Sequence, residues 1–163
     1  MRLGVRLGVD VGSVRVGVAR CDPSALIATP VTTLARDEAN GSDRQSIASM
    51  VSELAVIEVI VGNPVALDGR VGYAADATRR YAVALASLIA PVPVRLVDER
   101  LSTVAASRQL RSSGVRGRGH RRVIDQAAAV VVLQGALDAE RATGRAPGSP
   151  VEPEPATDGP SSG

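Results

Sequence analysis

Residues 6–20 read RLGVDVGSVRVGVAR: two short apolar runs, Leu7-Gly8-Val9 and Val14 to Ala19, flank an Asp10-Val11-Gly12-Ser13 turn. Runs of this length, rich in Val and separated by a Gly-containing break, predict a β-hairpin. Asp10 then closes the first strand, so a rigid element holds its carboxylate at the rim of a sheet. Gly8, Gly12 and Gly17 leave backbone open to close approach by a ligand or a neighbouring strand. An Asp also starts turns by bonding to nearby backbone, so this stretch alone leaves Asp10 between turn former and functional acid.

The chain after the hairpin narrows the choice. Cys21-Asp22-Pro23-Ser24 is a turn, and Ala25 to Leu34, broken by Pro30, predicts an edge strand, where Pro is tolerated. Ser42-Asp43-Arg44-Gln45 fits a capping box, and Ile47, Met50, Val51 and Leu54 follow on one helical face. Val56 to Val61 is an interior strand carrying one charge, Glu58, and stops at Gly62-Asn63-Pro64. After a turn at Leu67-Asp68-Gly69-Arg70, a helix from Tyr73 to Ala90 ends at Pro91, and Val92 to Val97 forms a strand delivering Asp98-Glu99-Arg100. A short helix capped by Ser102 or Thr103 fades at Ser112-Ser113-Gly114, and residues 114–122 (GVRGRGHRR) read as a Gly/Arg loop. A last helix, Val123 to Ala139, is apolar almost all round and therefore buried.

This order predicts an α/β fold. A three-strand antiparallel meander and two parallel strands form a mixed five-stranded sheet, with helices on both faces. A chain of 163 residues has room for one domain with a proper core, here residues 1–142. From residue 143 onward, Pro alternates with small and acidic residues, which predicts a disordered acidic tail. Only two residues are aromatic, Tyr73 and Tyr81, so the core is aliphatic. The lone Cys21 excludes an intramolecular disulfide, and no run is long enough to span a bilayer; both fit a cytoplasmic protein without a membrane partner.

Four acidic residues reach one rim of such a sheet. Asp10 ends the first strand, Asp98 and Glu99 end the last, and Asp125 falls in the first turn of the buried helix, where the helix dipole favours its ionised form. Converging carboxylates repel and need a cation. Hard oxygen donors without a His or Cys cluster select one or two Mg²⁺ or Mn²⁺ ions over Zn²⁺. Such ions stabilise attacking and leaving oxygens in phosphodiester hydrolysis. Asp10, Glu99 and Asp125 are the expected ligands and, with Asp98, the expected catalytic acids. Strand parity, which a sequence does not fix, decides between Asp98 and Glu99; Glu99 is favoured. Between Arg100 and Ile124 stand seven Arg and no acid. Arg100, Arg116, Arg118, Arg121 and Arg122 are the expected phosphate contacts of a nucleic-acid partner. Arg108 and Arg111 are equally well explained as a solvated helix face, and His120 as an exposed loop residue.

LGVDVGSVRVGVA, VGNP followed by LDGR, VDERLST, and VIDQAAAVVVLQGALD together make the chain resemble the YqgF/RuvX group over roughly residues 5–140. That group is described both as Holliday junction resolvases and as nucleases maturing the 5′ end of pre-16S rRNA. The resemblance implies an RNase H-like fold, a bacterial cytoplasmic protein, and Asp10, Glu99 (with Asp98) and Asp125 as metal-binding acids. It departs from the group's pattern at Asn63, where an apolar residue is usual, and in the Arg/Gly make-up of 114–122. The expected activity is cleavage of structured nucleic acid, foremost the rRNA precursor and alternatively a Holliday junction, by a monomer or homodimer. A non-catalytic nucleic-acid-binding protein is the further alternative. Asp10-Val11-Gly12-Ser13 also resembles the first phosphate loop of actin-like ATP-binding folds, but those need two lobes and a much longer chain.

Overall fold

The structure, a computed structural model, describes residues 1–64, 73–99 and 118–153, without the side chains of 73, 74 and 118–125. The expected turn at 67–70 and the short helix after Ser102 lie outside the described residues. The hairpin forms as read: β1 (Arg6–Val11) pairs antiparallel with β2 (Arg15–Cys21), and β2 with β3 (Ala28–Ala35). Next come α1 (Ser42–Glu53), β4 (Glu58–Asn63), α2 (Tyr73–Ile89), β5 (Val94–Asp98), a long helix α3 (Arg118–Thr143), and a short β6 (Ser149–Val151). The strands lie in the order β3-β2-β1-β4-β5-β6. β1, β4 and β5 run parallel, so their C-terminal ends share one rim.

Strand alternation gives each face its own core. Leu7, Val9, Val16, Val18, Val59, Val61, Val94 and Leu96 pack against Ile47 and Val51 of α1 and Tyr81, Leu85 and Ile89 of α2. On the other face Ala19, Cys21, Ile60 and Val97 meet Ala129, Val132, Leu133, Ala136 and Leu137 of α3. That face is built from small side chains because α3 sits so close. A Cβ on Gly8 would stand 2.6 Å from Leu133 Cβ and 2.8 Å from the Ala129 carbonyl. Glycine is therefore what lets the helix approach the sheet's centre.

The two rims differ. Where β1 and β4 begin, Arg6 and Glu58 are buried and Glu140 of α3 joins them. Arg6 Nη2 donates to Glu140 Oε2 at 2.8 Å, and Arg2 bridges Glu58 (3.2 Å) and Glu140. The interior charge in β4 is thus neutralised. Cys21 is buried beside this rim, its Sγ accepting from the Arg6 amide at 3.2 Å, which fits an inert small thiol.

Four expectations change. The capping box at Ser42 does not form: Gly41 is the N-cap, with no side-chain cap bond. Asp37 instead accepts from the Asn40 and Ser42 amides at 3.0 and 3.2 Å. Among the described residues the sheet has six strands, because Ser149–Val151, inside the expected tail, pairs with β5. Arg95 anchors it by donating to the Pro147 and Gly148 carbonyls, so β5 is not left as an open edge. Residues 118–122, read as loop, are helical, since Gly and Arg there do not outweigh the apolar stripe that follows. Asp125 consequently lies about two turns inside α3, where the helix dipole no longer acts strongly. Edge strand β3 follows expectation: Pro30 pairs with Ala19 at a register shift, where its missing N–H is harmless.

Candidate active site

The C-terminal ends of β1 and β5 carry Asp10, Asp98 and Glu99 at one rim of the sheet. Alternation along β1 puts Leu7 and Val9 on the α1/α2 face, so Gly8 and Asp10 belong to the α3 face. Across from Asp10 in β2 stands Gly17, and beyond it in β3 stands Thr33. Gln126 of α3 donates to Thr33 Oγ1 at 3.2 Å, which ties the helix to this row. On the other side of β1, β4 contributes Gly62, paired with Val97 of β5.

Parity also separates Asp98 from Glu99. Asp98 falls in step with Val94 and Leu96, which pack on the α1/α2 face, and it pairs with Asn63. Glu99 falls in step with Val97 on the α3 face. Its carboxylate lies over Gly62: a Cβ there would stand 3.0 Å from Glu99 Oε1 and 2.8 Å from Val132 Cγ2. The structure thus sets Glu99, and not Asp98, on Asp10's face. The space over Gly62 is taken by the Glu99 side chain coming from the next strand.

Position 125 precedes Ala129 by four residues and Val132 by seven, spacings that lie on one stripe of a helix. Ala129 lies on Gly8 and Val132 on Gly62. Because α3 carries Glu140 over the opposite rim, position 125 lies toward the ends of β1 and β4. Its side chain lies outside the described residues. Arg118, Arg121 and Arg122 occupy the first turns of α3, again without described side chains; Arg100 and Arg116 lie outside the described residues.

Sequence reasoning did not single out Gly62, Thr33 or Gln126. Gly62 was visible only as a strand terminator, and its use as a seat for Glu99 follows from the β4–β5 register. It also passed over a second polar cluster at this rim, on the α1/α2 face. There Tyr81 Oη donates to Asp43 Oδ2 at 2.9 Å, and the guanidiniums of Arg36 and Arg44 lie 5.7 and 5.9 Å from the Tyr81 ring centre. Burial, reinforced by Asp43, raises the Tyr81 pKa far above the usual phenol range, so it stays a donor. The signal available was a polar helix start, Asp43-Arg44, beside an apolar stripe.

Comparison with known proteins bears on the whole chain. A family model described as "RuvX: Holliday junction resolvase" matches residues 4–139. A protein of Streptomyces coelicolor is 53% identical over 152 residues, covering 93% of this chain and 90% of its own. One of Leifsonia xyli is 54% identical over 154 residues, covering 94% and 97%. Both carry the name "Putative pre-16S rRNA nuclease". Among solved structures, Thermus thermophilus RuvC in complex with a Holliday junction substrate aligns with a TM-score of 0.55 at 16% identity. The alignment covers 90% of this chain and 99% of RuvC. At that identity the likeness establishes the fold, which is RNase H-like.

Proposed function

The chain belongs to the RuvX family, and from that membership we propose that it is a metal-dependent nuclease acting on structured nucleic acid, foremost at the 5′ end of pre-16S rRNA. The observation that carries the reading is the placement of Asp10 and Glu99 on one face of the sheet beside Gly62. Asp10 comes from the sheet's central strand, paired on both sides, which gives its carboxylate a fixed origin. Glu99 arrives from a strand end, and its side chain lies over Gly62.

This donor set fits a hard divalent cation. Aspartate and glutamate oxygens suit Mg²⁺ or Mn²⁺. The one thiol is engaged with the Arg6 amide at the other rim and offers nothing to a soft metal. Asp10, Glu99 and Asp125 are the residues that would hold one or two such ions. Once bound, the ions supply charge stabilisation to the attacking and leaving oxygens of a phosphodiester. Arg100, Arg116, Arg118, Arg121 and Arg122 neutralise backbone phosphates and orient the strand without reading sequence.

The names of relatives above 50% identity favour the rRNA precursor. The family description favours a four-way junction, whose symmetric cutting needs two sites and hence a homodimer. Both substrates are tested side by side: a 5′-extended 16S precursor fragment and a four-way junction, with Mg²⁺ or Mn²⁺, and Asp10→Asn as control. Cleavage of the precursor alone supports the first reading, and paired junction cuts the second. Equal cleavage by Asp10→Asn contradicts both.

A further inference from the structure

Resting on the nucleic-acid reading above, we propose that the cavity at the other face of this rim binds an unpaired guanine base of the substrate. The cavity measures about 500 Å³ and lies between the β1–β2 turn, the start of α1 and the first half of α2, with Gly12, Arg36, Asp43, Arg44, Thr78 and Tyr81 in its wall. Two buried polar atoms here lack a hydrogen-bond partner among the described residues: Asp43 Oδ1, an acceptor, and Arg36 Nε, a donor. Asp43 is only 2% exposed, and its other oxygen accepts from Tyr81. Arg36 is pinned as well, its Nη1 donating to the Gly12 carbonyl at 2.9 Å. The unmet acceptor and the unmet donor are therefore both held in place.

The pair defines the chemistry of the occupant. A metal ion would satisfy Asp43 and repel Arg36, and a free phosphate would do the reverse. The wall carries three arginines (36, 44, 80) and three acids (37, 38, 43), so its formal charge balances and favours a neutral group. A group presenting donors beside an acceptor on one edge satisfies both atoms. Guanine alone offers a carboxylate two adjacent donors, N1–H and N2–H₂, next to O6. Adenine and cytosine offer one amino group beside a ring-nitrogen acceptor, and uracil a single donor between two acceptors that a carboxylate repels. Unpaired RNA bases are commonly splayed out, stacked on aromatic or guanidinium planes and read on these edges. Gly12 and Ser13 of the cavity follow Asp10 by two and three residues, so the cavity adjoins the rim that carries Asp10.

The test is calorimetric titration of GMP, AMP, CMP and UMP into the full-length Asp10→Asn protein without metal. Binding of GMP at least tenfold tighter than the other three, weakened at least tenfold by Asp43→Asn, is the expected result. If Asp43→Asn does not fold, Arg36→Gln with an unchanged circular dichroism spectrum takes its place and shows the same loss. Absence of GMP binding, equal affinity for all four nucleotides, or affinity untouched by the folded variant overturns the proposal. Because no cleavage is measured, failure here leaves the nuclease reading standing. Conversely, GMP binding by a protein that cuts neither substrate removes the nuclease reading alone.

Discussion

Where β1 and β4 begin, two buried carboxylates, Glu58 and Glu140, face two guanidiniums, Arg2 and Arg6. Where β1 and β5 end, Asp10 and Glu99 stand on one face, with glycines at positions 17 and 62 in the neighbouring strands. The same helix, α3, spans both rims, with Glu140 at one and position 125 toward the other. Acids at the first rim are matched inside the protein and hold the fold together. Asp10 and Glu99 at the second share the α3 face of the sheet, with Gly17 opposite one and Gly62 beneath the other. A carboxylate's role is thus set by what the neighbouring strands place beside it.

Substitutions sharpen this contrast. Asp10→Asn carries the largest expected effect: cleavage falls on the order of 10³-fold, equivalent to several kcal/mol of lost charge stabilisation, while the melting temperature holds. A large drop in melting temperature would instead make Asp10 a structural acid like Glu140. Glu140→Ala is the mirror case. It leaves Arg6 buried beside a missing partner and costs about 3–5 kcal/mol of stability, read by denaturant unfolding. Cleavage per folded molecule stays at the parent level; a selective loss of cleavage would blur the two rims. Gly62→Ala comes next. Its new methyl displaces Glu99 and presses on Val132, lowering cleavage about 10–100-fold, the range for losing support of a metal ligand. It also costs about 1–3 kcal/mol of stability, and unchanged cleavage would show that Glu99's seat is irrelevant.

The smallest effect concerns an acid of the second rim that the backbone satisfies. The Ser42 side chain and the Asn40 and Ser42 amides hold the exposed Asp37 carboxyl below its usual pKa. A depressed folded pKa contributes stability above the unfolded value, about 4, and loses it as pH falls through the folded one. The small melting difference between the parent and Asp37→Asn therefore closes as the pH drops below about 4. A difference that persists there removes Asp37's charge from the account.

Much of this fold is legible in the sequence. The hairpin at 6–20, the interior strand ending at Gly62 and the buried last helix all carry strong local patterns. β6 was not legible, because Ser149-Pro150-Val151 has a tail's composition and is strand only through β5 and Arg95. That Glu99, and not Asp98, shares the face of Asp10 needed the register of β5 against β4, a long-range fact that local sequence does not encode. The Asp43–Tyr81 cluster was hidden for the same reason: its members lie 38 residues apart and meet only where α1 packs on α2. The capping box failed because Gly41, one residue earlier, is the N-cap and the nearby Asp37 takes the Ser42 amide.

The central claim is that β1, the end of β5 and α3 each lend a carboxylate to one divalent ion. Titration of Mn²⁺ into the parent, Asp10→Asn, Glu99→Gln and Asp125→Asn, followed by electron paramagnetic resonance, measures it directly. The account predicts tight Mn²⁺ binding by the parent, weakened at least tenfold in each of the three variants while the fold is kept. Parent-like Mn²⁺ affinity in all three folded variants would contradict it.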